Sequence, residues 1–261
     1  MTPDAWLESL PARHAAAMTR PEFQKAIRAL SARYVERRGA LPDCSPLDSA
    51  GKRAAFAAFY APLHFITAQQ LITRIGVPPR ITSLIDAGCG TGVAGAACAL
   101  AARSQDENVD VTGIDLNSWA LDEARETWRA LDLVGRTARA DFVARLEQLT
   151  GKPTRNERLQ ETGIICGWSM NELDARGLDR AGRAIDTLAS RGARILIIEP
   201  ISRSAVPWWD TWTARARELK GRAAEWRFAD ALPPFLAALS DEAGFARAEL
   251  TARTLAFNWP A

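Results

Sequence analysis

From residue 81 onward, short apolar runs alternate with longer stretches in which apolar residues recur every three or four positions. The short runs suit strands and the longer ones amphipathic helices, so their alternation predicts parallel strands joined by helical crossovers. Strands are expected at 82–86, 109–115, 136–140, 162–167 and 193–198, with helices near 93–103, 118–131, 142–149, 171–190 and 206–219. The runs Gly163-Ile164-Ile165-Cys166 and Arg194-Ile195-Leu196-Ile197-Ile198 show no polar alternation, as strands covered by helices on both faces should. A segment at 223–228, a helix over about 230–243 and a strand near 246–257 are expected to close the sheet.

The first eighty residues lack strand runs and read as helical. Thr19 and Pro21 suit the start of a helix reaching about Arg38, with Gly39 just past its end, before a loop over 40–46. Ser49 can cap a second helix through Tyr60, and a third apolar segment, 63–75, follows Pro62 and stops at Gly76 and the pair Pro78-Pro79. The expected organisation is an N-terminal helical cap or lid over 1–80 and an α/β domain over 81–261.

Composition narrows the function classes. The chain has 261 residues, 48% hydrophobic and 25% charged, which excludes disorder, collagen and coiled coil. Basic and acidic residues number 33 and 31, a balance of +2 and far from the basic excess of a nucleic-acid coat. Only Lys25, Lys52, Lys152 and Lys220 are lysines, the rest of the basic residues being arginine, which reflects base composition. Cys44, Cys89, Cys98 and Cys166 form no C-x-x-C pair, and only His14 and His64 are available to assist them, so no metal site is expected. No leader and no apolar run of about 20 residues is seen, and the sequence predicts a cytoplasmic protein.

The most informative run is Ser83-Leu84-Ile85-Asp86-Ala87-Gly88-Cys89-Gly90-Thr91-Gly92-Val93-Ala94-Gly95, a strand entering a glycine-rich turn that opens a helix. Such a turn lets backbone approach a nucleotide-like ligand at the carboxyl edge of a doubly wound sheet. Gly90-x-Gly92-x-x-Gly95 also satisfies the dinucleotide fingerprint, so a nicotinamide or flavin enzyme is the competing reading. Charge separates the two: Asp86, two residues before Gly88, would repel a pyrophosphate but suits the sulfonium and ammonium of S-adenosylmethionine. Asp115 ends the second strand 23 residues after Gly92, where a carboxylate takes two ribose hydroxyls in either cofactor. At the third strand end, Asp141 can accept from an adenine amine while Phe142 packs on the ring.

With D-A-G-C-G-T-G followed by these two acids, the chain resembles the class I S-adenosylmethionine-dependent methyltransferases over roughly 81–200. The resemblance implies a Rossmann-like, mainly parallel seven-stranded sheet, with S-adenosylmethionine as cofactor and S-adenosylhomocysteine as product. It places Asp86, Gly88, Gly90 and Gly92 at the methionine end, Asp115 at the ribose and Asp141 with Phe142 at the adenine, and counts Ala87, Cys89, Leu116 and Gly167 among the cofactor-binding residues.

Methyl transfer from a sulfonium is an in-line displacement that needs alignment and exclusion of water, plus a base only when the acceptor carries a proton to lose. The fourth strand end, Cys166-Gly167-Trp168-Ser169-Met170-Asn171-Glu172, faces the sulfonium in the resembled family and lacks the N/D-P-P-Y/F run of nucleic-acid amino methyltransferases. Asn171 and Glu172 are candidates to orient or deprotonate the acceptor, against the plainer role of opening the following helix. Glu199, a further catalytic candidate, ends the fifth strand, and Trp208 and Trp212, four apart on one helix face, either pack on the sheet or wall a flat or cationic substrate beside it. In the cap, Tyr60 and His64 are also four apart, with Pro62 between them expected to bend that face; Tyr60 and Trp168 are substrate candidates and His64 a candidate base.

These residues point first to a methyltransferase acting on a small molecule. A second reading is a ribosome- or RNA-associated factor: the helical leader, the Asn171-Glu172-Leu173 loop and Glu225-Trp226-Arg227-Phe228 faintly resemble a methyltransferase-like family of small ribosomal subunits. That family's iron–sulfur cysteines have no counterpart after Cys166, although arginines between 28 and 38 can touch phosphate. A third is a catalytically inactive cofactor-binding partner subunit, because a cofactor motif certifies binding and not chemistry.

Overall fold

A computed structural model describes residues 1–36, 47–105, 107–151, 159–229, 232–245 and 249–260, the side chains of 33–36 excepted. The expected Gly39 cap, the loop at 40–46 with Cys44, and the starts of the last helix at 230 and last strand at 246 lie outside these residues.

Seven strands, β1 (Ser83–Ala87), β2 (Asp110–Asp115), β3 (Gly135–Arg139), β4 (Thr162–Gly167), β5 (Arg194–Glu199), β6 (Arg222–Ala229) and β7 (Glu249–Phe257), form one sheet in the order β3-β2-β1-β4-β5-β7-β6. The first five are parallel, and β7 runs antiparallel to both β5 and β6. This is the expected doubly wound, mainly parallel sheet, and the reversal of strand order at β1 puts a crevice at its carboxyl edge beside β4.

The crossover helices are α5 (Val93–Arg103), α6 (Ser118–Ala130), α7 (Phe142–Leu149), α8 (Ala175–Ser190), α9 (Trp209–Glu218) and α10 (Pro234–Glu242), after four N-terminal helices α1 (Pro3–Ala15), α2 (Arg20–Glu36), α3 (Ala50–Ala55) and α4 (Ala61–Ile75). One hydrophobic cluster lies under α1–α6, and a second lies on the other face under α7–α9. The helix expected from 171 starts at 175, because Asp174 and not Asn171 caps it, its side chain accepting from the Gly177 amide at 2.6 Å.

The N-terminal helices share their core with the sheet. Leu63, Ile66 and Leu71 of α4 are buried in the same cluster as Val93, Ala96 and Ala97 of α5. Arg13 of α1 pairs with Glu123 of α6 at 2.9 Å, Arg20 pairs with Glu242 of α10, and the Trp259 indole donates to the Gly76 carbonyl at 2.9 Å.

Ser49 caps α3 as expected, accepting from the Lys52 amide, and between α3 and α4 Phe56–Tyr60 form a π-helical turn with all five residues buried. Pro62 sits at the start of α4 without ending the helix: its missing donor falls where the α-helical ladder is already interrupted.

Candidate active site

The glycine loop crosses the carboxyl edge of β1 by means of three left-handed residues, Gly88, Gly90 and Gly92, with φ of 70°, 50° and 75°. Four of its amides are bonded within the protein. Those of Gly88 and Cys89 both donate to the Ile114 carbonyl at 2.8 and 3.0 Å, that of Gly90 to Asp115 Oδ2 at 2.9 Å, and that of Gly92 to the Cys89 carbonyl at 2.8 Å. A dinucleotide loop instead directs such donors at a pyrophosphate. Here three of the four are committed to β2 and the fourth to the loop itself, and the loop is shaped for close approach of a ligand more than for anion binding.

That internal bonding replaces the charge argument from Asp86. Asp86 does not line the ligand site: it is 1% exposed, and its Oδ2 accepts from the Gly95 amide at 2.9 Å, fastening the start of α5 to β1. Burial drives its carboxyl up to about 7, the Gly95 amide opposing and Asp115 adding to the rise, so it is only partly ionised at neutrality. Ala87 and Cys89 are likewise buried, and Ala87 takes part through its carbonyl, which accepts from Ser169 Oγ at 2.8 Å.

Asp115, half-buried at the tip of β2, also receives the Asn117 amide at 2.8 Å on its second oxygen. Each carboxylate oxygen keeps a further lone pair for a hydroxyl. Beside it Leu116 is 64% exposed, an apolar side chain open at the edge where a nucleoside would lie. Asp141 caps α7 by accepting from the Val143 amide at 2.9 Å, and its other oxygen lies 3.7 Å from Arg180, so it is drawn partly away from the role expected of it. Phe142 reaches over the loop: a Cβ at Gly88 would stand 3.4 Å from its ring and 2.4 Å from the Cβ of Ser169. Gly167 serves packing, since a Cβ there would meet Ala94 at 2.8 Å.

At the β4 end Trp168 stacks on His64 of α4, with ring centroids 4.1 Å apart and planes at 7°. Phe56 meets His64 edge-on at 6.3 Å and lies 3.7 Å from the place a Cβ would take on Gly90. Asn171 and Glu172 follow in a short 3-10 turn, both half-buried. Glu199 is fully buried, and its Oε1 accepts from the Met170 and Asn171 amides at 2.9 and 3.2 Å, so it shapes this loop rather than contacting an acceptor.

Three other candidates lie away from the glycine loop. Tyr60 is buried among the N-terminal helices, its hydroxyl donating to the Ile27 carbonyl at 3.3 Å. Trp212 packs in the second core, and Trp208 lines a groove of about 540 Å³ between α8 and α9 with Leu178 and Arg215. Sequence reasoning missed Trp128 as a support, whose indole donates to the Gly92 carbonyl at 2.9 Å.

Residues 66–150 match the model of the family described as Methyltransferase small domain, a segment holding the glycine loop, Asp115 and Asp141. Among solved structures the chain is similar to the mitomycin 7-O-methyltransferase MmcR, at 13% identity and a TM-score of 0.51, covering 86% of this chain and 60% of that one. It is also similar to the plantazolicin methyltransferase BpumL in complex with a triazolic desmethylPZN analog and SAH, at 12% identity and a TM-score of 0.48 over 90% and 99% of the two chains. At such identities the likeness is one of fold, and this chain spans 60% of the MmcR chain's length. No curated protein matches the sequence.

Strand order and glycine loop agree with the family match over 66–150 and with the fold shared with MmcR.

Proposed function

We propose that the protein transfers the methyl group of S-adenosylmethionine to an oxygen, nitrogen or sulfur of a small-molecule acceptor held between the N-terminal helices and the β4 end. The observation that carries this reading is the gathering of Phe56, His64 and Trp168 beside a glycine loop, with Phe56 against Gly90. Gly88, Gly90 and Asp115 would hold the methionine and ribose parts, and Leu116, Asp141 and Phe142 the adenine. The cofactor supplies an electrophilic methyl on a sulfonium, and a neutral thioether leaves. The chain's own residues then have three tasks: aligning the acceptor, excluding water, and receiving a proton where the acceptor has one to lose. His64, Glu172 and Asn171 are the polar side chains at that end, and Glu199 sets the loop that carries two of them. The near-even charge supports a small acceptor over a polyanion, and no helix among the described residues is long and apolar enough to cross a membrane. We place its work in the cytoplasm.

Calorimetric titration with S-adenosylmethionine, S-adenosylhomocysteine and NAD tests the cofactor, and acceptor-dependent formation of S-adenosylhomocysteine across a metabolite panel tests the reaction. Saturable binding of the first two, lost in Asp115→Ala, is expected. Binding of NAD alone, or turnover confined to structured RNA, would overturn the proposal.

A further inference from the structure

Trp168 holds a backbone conformation that large side chains rarely adopt, with φ at +55°. Its amide donates to the Ile198 carbonyl at 2.7 Å, carrying the β4–β5 pairing one residue past Gly167 and fixing the twist. Such strain persists only where the surroundings over-determine it, and it clusters at ligand sites. Here it accompanies an indole laid parallel on the His64 imidazole, the two rings 4.1 Å apart and each still partly exposed. The neighbouring residue Ser169 is anchored on the Ala87 carbonyl at 2.8 Å, and Phe56 stands edge-on to His64 beside Gly90. The rings therefore form an aromatic wall beside the glycine loop whose ligand-facing side is an outer face of the stack, since the inner faces cover each other, and it is built from residues more than a hundred positions apart in the chain.

Resting on the methyltransferase reading, and naming its substrate class, we infer that the acceptor is a planar aromatic or heteroaromatic molecule bearing an O–H or N–H, seated against the Trp168–His64 pair. A planar π system gains offset or edge contacts on such a wall that a saturated ring of equal size does not. As the acceptor heteroatom forms its bond to the methyl carbon, the carbon–sulfur bond breaks, the sulfur leaves as the thioether, and the acceptor proton passes to the His64 imidazole.

The test uses the full chain saturated with S-adenosylhomocysteine and titrated with 2-naphthol and with decahydro-2-naphthol, the same skeleton made saturated. We expect 2-naphthol to bind at least about tenfold more tightly, Trp168→Leu to abolish that preference and Trp168→Phe to keep most of it, with unchanged affinity for S-adenosylhomocysteine throughout. In turnover assays with phenols and hydroxylated N-heteroaromatics, His64→Asn should lower kcat about a hundredfold while KM stays within about threefold. Equal binding of the two probes, no binding of either, a preference that survives Trp168→Leu, absence of turnover with every planar acceptor, or an unchanged kcat in His64→Asn would each overturn the inference. Failure of the wild-type chain to bind S-adenosylhomocysteine would instead overturn the cofactor reading beneath it.

Discussion

The indole of Trp128 donates to the carbonyl of Gly92 at 2.9 Å from a slot formed by three glycines. A Cβ added at Gly92, Gly113 or Gly135 would stand 2.8, 2.7 or 2.4 Å from its ring, so a single side chain braces the glycine loop, β2 and β3 together. Trp128→Phe keeps much of the filling and loses the bond. It should cost about 1–3 kcal/mol in urea unfolding and weaken S-adenosylmethionine binding several-fold by calorimetry. Gly113→Ala, which forces the ring and the Cys89 sulfur apart, should do at least as much damage.

Asp86 sets a pH dependence of stability. Its carboxyl titrates near 3.8 when exposed and near 7 in the fold, so the native state holds a proton that the unfolded chain gives up. Stability from this group is therefore full below about pH 4 and falls as pH rises towards 7, by on the order of 4 kcal/mol. Asp86→Asn preserves an acceptor for the Gly95 amide and cannot titrate. Relative to that variant, the wild-type chain should lose stability between pH 4 and 7 in denaturant titrations, and parallel curves would refute the assignment.

Glu199 gathers two amides of the acceptor loop on one buried oxygen. Glu199→Ala leaves both without that acceptor and should lower kcat/KM about a hundredfold, whereas Glu199→Gln keeps an acceptor and should retain most activity. Affinity for S-adenosylmethionine should stay near wild type in both, since Glu199 belongs to the acceptor side.

The thiols of Cys89, Cys98 and Cys166 are buried, and burial pushes all three up, Cys98 to about 12. None should be alkylated by iodoacetamide in the native protein at pH 8, and all three should react in denaturant. Peptide mass spectrometry distinguishes the two states.

The sheet was legible because each strand announces itself locally. Residues 162–167, 93–103 and 142–149 were read to the residue, since a continuous apolar run or a glycine turn opening a helix needs no distant partner. Asp86, Asp115 and Asp141 were found for the same reason, each standing at a strand end. Their tasks were less legible. Whether a carboxylate meets a ligand or a backbone amide depends on hydrogen bonds across the turn, such as that from Gly95 to Asp86, which spacing does not encode. The Trp128 slot and the Trp168–His64 stack join residues far apart in the chain and left no local periodicity to read. Helix α1 was not delimited because Pro11 lies inside it and only Trp6, Leu7 and Leu10 are buried.

The π-helical turn at Phe56–Tyr60 behaves as one surplus residue within a continuous helical rod. Each residue of an α-helix advances the chain about 100° around its axis, so that surplus sets the rotational phase of Phe56, which faces Gly90, relative to His64, which faces Trp168. Deleting one alanine between them would leave every ring in place chemically and swing one of the two off its target. The aim of the acceptor wall is thus encoded in a residue count, which composition does not record and a single lost codon would erase.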